Sequence, residues 1–170
     1  MSHRIRWAAA IVAVLFCAAS GWWCAQTRDD PRLRRAEARD TALADGRAEL
    51  ARLNSIDAKD FAAGLRQWLD ATTGALHDQL RGSSGADGAA VAKAGTSARG
   101  TVTDAAVTEL DTRAGTARLI ATVQVELTPS SGGTATGTTG TDRKRFEAGL
   151  ARTPDGWKVS SLTAVPIGAS

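Results

Sequence analysis

The chain is poor in the residues that build disulfides, metal sites and many catalytic sites. Its 170 residues include no tyrosine, two histidines and two cysteines. Both cysteines, Cys17 and Cys24, lie near the N-terminus, so the rest of the chain holds neither a disulfide framework nor a cysteine metal site. That rest contains one histidine, His77, which leaves too few soft ligands for a zinc site. No cofactor is therefore predicted.

The sequence also carries no large excess of positive or negative charge. The sequence has 21 basic and 18 acidic residues and a net charge of +3. Arg4 and Arg6 precede a long apolar run, and the residues that follow this run are together almost neutral. A nucleic-acid-binding domain needs a strongly basic patch, so no nucleic-acid partner is expected.

The motifs of common catalytic sites are absent too. The sequence has no G-x-S-x-G nucleophile elbow and no P-loop, and Gly82-Ser83-Ser84-Gly85 is too short to cradle a phosphate. His77 is interpreted as a surface or half-buried helix residue rather than as one half of an acid–base pair. Asp70 and Asp78 are interpreted as solvated helix charges. The sequence thus predicts a protein that is not an enzyme.

The most informative feature that is present is an uncharged apolar run from Trp7 to Ala25. As a helix it would extend about 28 Å, close to the ~30 Å hydrocarbon core of a bilayer. Tryptophans at both ends suit the two membrane interfaces. We predict a short cytoplasmic tail (residues 1–6), a transmembrane helix (7–25) and an extracytoplasmic domain (26–170). Four aromatic side chains belong to this anchor: Trp7, Phe16, Trp22 and Trp23.

Three details of the run leave alternatives. Ala18-Ala19-Ser20 would also suit a cleavage site, so a secretory signal peptide is the competing interpretation. Arginines are more numerous after the run than before it, and a local count would place the C-terminal side inside the cell. Long domains, however, translocate largely regardless of charge. Cys17 and Cys24 are interpreted as small apolar residues that face lipid. The alternative is a contact or a disulfide between membrane helices of two chains.

Helices are predicted directly after the run, over residues 28–81. Residues 28–53 are rich in good helix formers and carry a thin apolar stripe at seven-residue spacing, formed by Ala36, Leu43 and Leu50. A second helix, strongly amphipathic, is predicted to be capped by Asp57 and to continue to residue 81. Gly74 lies inside this pattern and is expected to loosen or bend the helix.

Strands with a period of two follow, over residues 101–165. Ala117–Thr128 and Asp142–Arg152 alternate apolar and polar side chains, and Trp157 begins the last strand. Helices followed by about four antiparallel strands predict an α+β domain, in which long helices pack on a curved sheet.

Two segments interrupt the strand pattern. In the first strand Val102 and Val107 differ in parity, which predicts a bulge near Ala105-Ala106. The segment from Pro129 to Thr141 consists mainly of threonine, glycine and serine and is predicted to be an exposed loop.

This order of elements resembles the NTF2-like (cystatin-like) cone, and within it the actinobacterial Mce-associated membrane proteins. The resemblance covers nearly the whole chain. Besides the N-terminal span it is carried by Arg34–Leu53, Leu69–Gly74, Gly100–Val107 and the closing hairpin from Arg145 to Leu162. The motifs are not catalytic, and it is their order that indicates the family. A composition rich in alanine, glycine and threonine, with more arginine than lysine, also suggests a GC-rich bacterial source such as an actinobacterium.

The resemblance implies a non-enzymatic accessory or scaffold subunit of an Mce-type lipid-transport complex in the cell envelope. It also implies that the domain lies outside the cytoplasmic membrane. A VirB8-like secretion-system scaffold is the alternative, because it would share the span and the fold, and a lipid-binding or enzymatic NTF2-like domain is the third hypothesis. The expected partners are the membrane and the proteins of an Mce complex, and a homo-oligomer is left open.

Two groups of side chains are candidates for binding. Four aromatic residues either belong to the core or line an apolar pocket: Phe61, Trp68, Phe146 and Trp157. A basic cluster, Arg143-Lys144-Arg145, either forms a solvated strand edge or contacts acidic lipid headgroups or an acidic partner.

Overall fold

The computed structural model describes four stretches of the chain: residues 16–17, 31–83, 95–129 and 140–166. The predicted anchor lies almost wholly outside them. Trp7, Trp22 and Trp23 are not described, whereas Phe16 is helical and exposed, next to the free thiol of Cys17. Within the described residues, no helix is both long and apolar enough to cross a membrane.

The chain divides into two units, Met1–Ala38 and Arg39–Ser170. Helix α1 (Pro31–Leu53) has its first residues in the first unit. Its last turn carries Arg52, whose positive charge suits the C-terminal end of the helix dipole. Helix α2 (Phe61–Ala71), helix α3 (residues 74–83) and the strands all lie in the second unit.

Helices α2 and α3 replace the single helix predicted up to residue 81. The predicted cap is also wrong, because α2 begins at Phe61 and its N-cap is Asp60, whose carboxylate accepts from the Ala63 amide. The chain leaves the helix at Thr72-Thr73, where the Thr73 amide donates to Val159 O at 2.9 Å. Gly74 then takes a positive φ of 61°, which glycine adopts without steric cost.

Four strands form one antiparallel sheet in the order β1-β2-β3-β4. They are β1 (Thr96–Asp111), β2 (Thr116–Pro129), β3 (Gly140–Thr153) and β4 (Gly156–Ala164). The α+β prediction, with helices packed on a four-stranded antiparallel sheet, is confirmed. Of the predicted loop between β2 and β3, residues 130–139 lie outside the described part of the chain.

Strand β1 contains two bulges instead of the one predicted at Ala105-Ala106. The register with β2 shifts once at Thr103 and once at Thr108, on either side of the predicted position. Each shift changes the parity of the strand by one residue. As a result four apolar side chains of unequal spacing point to the same side of the sheet: Val102, Ala105, Val107 and Leu110.

We call this side of the sheet the inner face, because α1 packs on it, and the opposite side the outer face. The buried residues of α1 are Ala42, Gly46 and Leu50. The predicted apolar stripe of Ala36, Leu43 and Leu50 was therefore only partly right. Ala36 is exposed, and small residues of α1 make its closest contact with the sheet. A Cβ on Gly46 would collide with the Leu119 side chain, which shows how near the helix lies to the sheet.

Candidate functional site

The inner face of the sheet is filled by packed side chains. The main core cluster combines α1 with all four strands, and Leu50, Leu119 and Val159 in it have no exposed surface. A second cluster at the other end of the sheet is built around Val123, Val125 and Phe146. Side chains that are packed in this way leave the space between α1 and the sheet occupied by protein.

The four predicted aromatic residues lie in two different environments. Trp157 is 3% exposed in the main cluster, and Phe146 is 9% exposed in the second one. Phe61 and Trp68 are half-buried and belong to neither cluster. Phe61 and Trp68 contact each other, whereas Trp157 and Phe146 lie in two different core clusters.

Trp68 joins the end of α1 to α2. Its ring meets that of Phe61 edge to face, with centroids 6.2 Å apart and planes at 85°. Its Nε1–H lies 3.1 Å from the Arg52 carbonyl oxygen and 3.0 Å from that of Ser55. The last carbonyls of a helix lack partners within that helix. The Arg52 carbonyl oxygen thus accepts from Trp68 as well as from the Ser55 amide, and Trp68 ties α2 to the end of α1.

His77 plays a comparable role between α2 and α3. Its Nε2 lies 2.8 Å from an Arg81 guanidinium nitrogen, which can only donate, so Nε2 accepts. Its Nδ1 then carries the proton and donates to the Leu69 carbonyl oxygen at 3.0 Å. Both ring nitrogens are engaged in structural bonds. Among the described residues, no cluster of histidine, cysteine and acidic side chains has the arrangement of a metal site.

A cleft of about 650 Å³ lies on the second unit beside the start of β1, and we call it the edge cleft. The connection between α1 and α2 forms one wall, and the start of β1 with the end of β2 forms the other. Four charged side chains line it: Asp57, Asp60, Arg99 and Glu126. With three carboxylates and one guanidinium, the cleft carries negative charge.

Backbone pairing holds the two walls of the edge cleft together. Ile56 and Ala98 exchange two hydrogen bonds, of 2.8 and 2.9 Å, so that the connection pairs with the start of β1 at this one position. The Gly100 amide donates to the Ser55 hydroxyl at 2.9 Å. A side chain at Gly100 would collide with Asn54, so only glycine lets the end of α1 come this close to β1. This pairing also covers part of the β1 edge.

Asp57 in the edge cleft is an ionised acceptor. Its Oδ1 accepts from the Lys59 amide at 2.9 Å and from the Ser97 hydroxyl at 3.2 Å. These bonds, the one from the Lys59 amide first, lower the pKa of the Asp57 carboxyl against an opposing effect of desolvation. A general acid at neutral pH needs a raised pKa. With three carboxylates in its lining, the cleft can accept a cationic or hydrogen-bonding segment.

The basic cluster Arg143-Lys144-Arg145 lies on β3, and all three side chains are exposed. Lys144 makes a long ion pair of 3.8 Å with Asp142. Arg143 and Arg145 have the parity of the outer face, whereas Lys144 has that of the inner face. Binding of headgroups or of an acidic partner by this cluster stays a prediction.

Several residues of these sites were not predicted. Asp45 on α1 accepts from the Trp157 amide at 3.0 Å and so fixes the β3–β4 hairpin on the helix. Gly46 could have been found, because a glycine inside a helix pattern often marks a close packing contact. Ser55, Ser97 and Arg99 carry no local signal, since the cleft exists only once Ile56 has paired with Ala98.

Three solved structures show which fold this is. An IcmL-like type IV secretion system protein from Legionella pneumophila matches with a TM-score of 0.61 at 13% identity, over 78% of this chain and 95% of that one. CagV, a VirB8 homolog from Helicobacter pylori strain 26695, matches with a TM-score of 0.53 at 11% identity, over 71% and 92%. An Ntf2-like protein involved in plasmid conjugation matches with a TM-score of 0.50 at 11% identity, over 78% and 51%.

These likenesses establish the NTF2-like, VirB8-like fold that the order of elements predicted. No protein-family model matches the sequence, and no curated protein matches it either.

Proposed function

We propose that this protein is a non-enzymatic scaffold of the VirB8-like kind, which holds partner proteins together in a multi-protein complex of the cell envelope. The span at residues 7–25 would anchor it in the membrane, with the domain on the extracytoplasmic side. The fold supports this proposal, because two of the similar structures belong to type IV secretion systems. The observation that carries it is the packed inner face, which leaves the surfaces of the domain for binding.

The side chains that an enzyme of this fold would use are engaged elsewhere. His77 bonds through both ring nitrogens, and Asp60 caps α2. Asp57 has a lowered pKa rather than the raised one that a general acid requires. These assignments favour a binding role over a catalytic one.

The edge cleft is the docking position that charge favours. Its carboxylates suit an extended segment rich in lysine or arginine, and its serine and threonine hydroxyls add hydrogen-bond partners. Arg99 would then meet an acidic residue of the same segment and fix its direction. Such a segment is expected on a partner protein of the complex.

An accessory role in an Mce-type lipid-transport complex is the second candidate. It is supported by the order of the sequence segments Arg34–Leu53, Leu69–Gly74 and Gly100–Val107. The two candidates assign different neighbours to the same domain, so the identity of the partners separates them.

Crosslinking of the full chain in native membranes, followed by identification of the linked proteins, tests the proposal. Subunits of a secretion or conjugation machine are the expected partners, and lipid-transport subunits would favour the second candidate instead. Glu126→Lys in the edge cleft should weaken the crosslinks, whereas Asp78→Lys, an exposed change on α3, should leave them intact. If the chain links to no protein, the scaffold proposal is refuted. If both variants crosslink equally, the edge cleft is not the docking position.

A further inference from the structure

The early turns of helix α1 carry an exposed stripe of arginine side chains. Arg32, Arg35 and Arg39 follow one another at spacings of three and four, so they lie on one side of the helix. All three are exposed, and the first buried residue of α1 is Ala42. At about 1.5 Å per residue these three positions extend over about 10 Å of the helix. We call them the arginine stripe.

The arginine stripe takes the side of α1 that carries small and apolar residues further along. Ala42, Gly46 and Leu50 continue the same spacing, and they are the buried residues of this helix. On an amphipathic helix, charged residues normally take the side opposite to the buried one. The stripe therefore occupies the side on which α1 makes its contacts in later turns.

The charge of the stripe lacks a counterpart within the helix. Like charges three or four residues apart destabilise a helix, and the first turn of α1 contains no acidic residue. Within the described part of the chain, neither Arg35 nor Arg39 forms an ion pair. At 100° per residue, Glu37 and Asp40 fall about 80° or more away from the stripe. A ligand that presents several negative charges close together would relieve this repulsion.

We propose that the arginine stripe binds the anionic headgroups of membrane lipids. The inference rests on the proposed function, because the anchor at residues 7–25 is what would hold α1 beside a bilayer. Helix α1 begins at Pro31, six residues after Ala25, and six residues extend at most about 20 Å. Anionic lipids attract basic residues next to a membrane span, and a guanidinium binds a phosphate through two parallel hydrogen bonds.

The lipids that are purified together with the full chain test the proposal. The chain is reconstituted in bilayers of equal parts phosphatidylglycerol and phosphatidylcholine, extracted in mild detergent, and its lipids are measured by mass spectrometry. The wild type should be enriched in phosphatidylglycerol. Headgroups on an exposed helix exchange with the bilayer, so no fixed number of lipids per chain is expected.

Two double variants locate the enrichment. Arg35→Gln/Arg39→Gln should lower it about tenfold, because each arginine near an anionic surface contributes about fivefold. Glutamine has nearly the helix propensity of arginine, so α1 should be retained. Arg66→Gln/Arg113→Gln removes two exposed arginines elsewhere in the chain and is the matched control. It should leave the enrichment unchanged.

Four results would overturn the proposal: a wild type with the lipid ratio of the bilayer, an unchanged ratio in Arg35→Gln/Arg39→Gln, an equal fall in both double variants, and displacement of phosphatidylglycerol by inorganic phosphate at constant ionic strength. The last result would assign the stripe to small phosphates instead. If Arg35→Gln/Arg39→Gln keeps its lipids but loses crosslinks to a protein, the stripe binds that protein, which also overturns the proposal. A chain that keeps the enrichment and links to no protein would refute the scaffold alone.

Discussion

A methyl group added at Gly46 tests how tightly α1 packs on the inner face. The Cβ of alanine at this position would overlap Leu119 Cδ2 and lie 3.0 Å from Leu150 Cδ1. Leu119 is 0% and Leu150 is 1% exposed, so neither side chain has free solvent to move into. The helix would have to shift away from the sheet, or both leucines would have to leave their rotamers.

The magnitude follows from two opposing effects. Alanine in place of glycine inside a helix normally stabilises by about 1 kcal/mol. Overpacking a filled core costs about 1–3 kcal/mol. We therefore expect Gly46→Ala to lower the free energy of unfolding by about 1 kcal/mol, which corresponds to a fall in Tm of about 2–4 °C for a chain of this size.

Gly82→Ala is the matched control for this change. Gly82 is exposed in α3, and a Cβ there meets no atom within 4 Å. Only the gain in helix propensity applies, so the Tm should stay equal or rise. Differential scanning calorimetry of the full chain compares the two variants. If Gly46→Ala melts as high as the wild type, the leucines have room to move, and the argument for a filled inner face fails.

Three further outcomes are expected. Asp45→Ala should lower the free energy of unfolding by about 1–3 kcal/mol in urea denaturation, because it leaves the Trp157 amide without its acceptor. Asp45→Asn keeps an oxygen there and should cost less, so equal losses would argue against the bond. Trp68→Phe should cost about 1–2 kcal/mol through loss of the Nε1 bonds, and Trp68→Leu, which also loses the ring contact with Phe61, should cost more. A cost-free Trp68→Phe would contradict the link between α1 and α2. The lowered pKa of Asp57 means that its charge stabilises the fold above about pH 3.8 and that this stabilisation is lost as the pH falls through the folded pKa. The Tm of Asp57→Asn should therefore lie below that of the wild type at neutral pH and approach it in acid. A difference in Tm that does not change with pH would show that the charge of Asp57 does not stabilise the fold.

Regular alternation made the sheet predictable. Along β2, every second side chain from Ala117 to Val125 is buried, and the same period holds for Phe146, Ala148 and Leu150 on β3. The spacing of apolar residues along the sequence is enough to predict these strands, because one face of an antiparallel sheet is buried and the other is solvated.

Contacts between distant segments account for what the sequence did not predict. Helix α2 ends at Thr72-Thr73 because these residues bond to β4, and nothing in the neighbouring sequence encodes Val159. The two bulges of β1 appear only against the register of β2. The buried face of α1 uses Ala42 and Gly46, whose small side chains add little to an apolar stripe.

The candidate sites depend even more on tertiary pairing. The edge cleft combines Asp57 with Arg99 and Glu126, which come together only through the sheet register and the pairing of Ile56 with Ala98. The basic cluster on β3 was visible as a sequence run, but its division between two faces was not.

Native mass spectrometry of the full chain, isolated from membranes in mild detergent, tests the central claim most directly. One spectrum reports both bound proteins and bound lipids. The scaffold account predicts the chain in complex with other proteins and without lipid at a fixed stoichiometry, since packed side chains fill its inner face. A species that carries one lipid per chain and no partner protein would contradict the account.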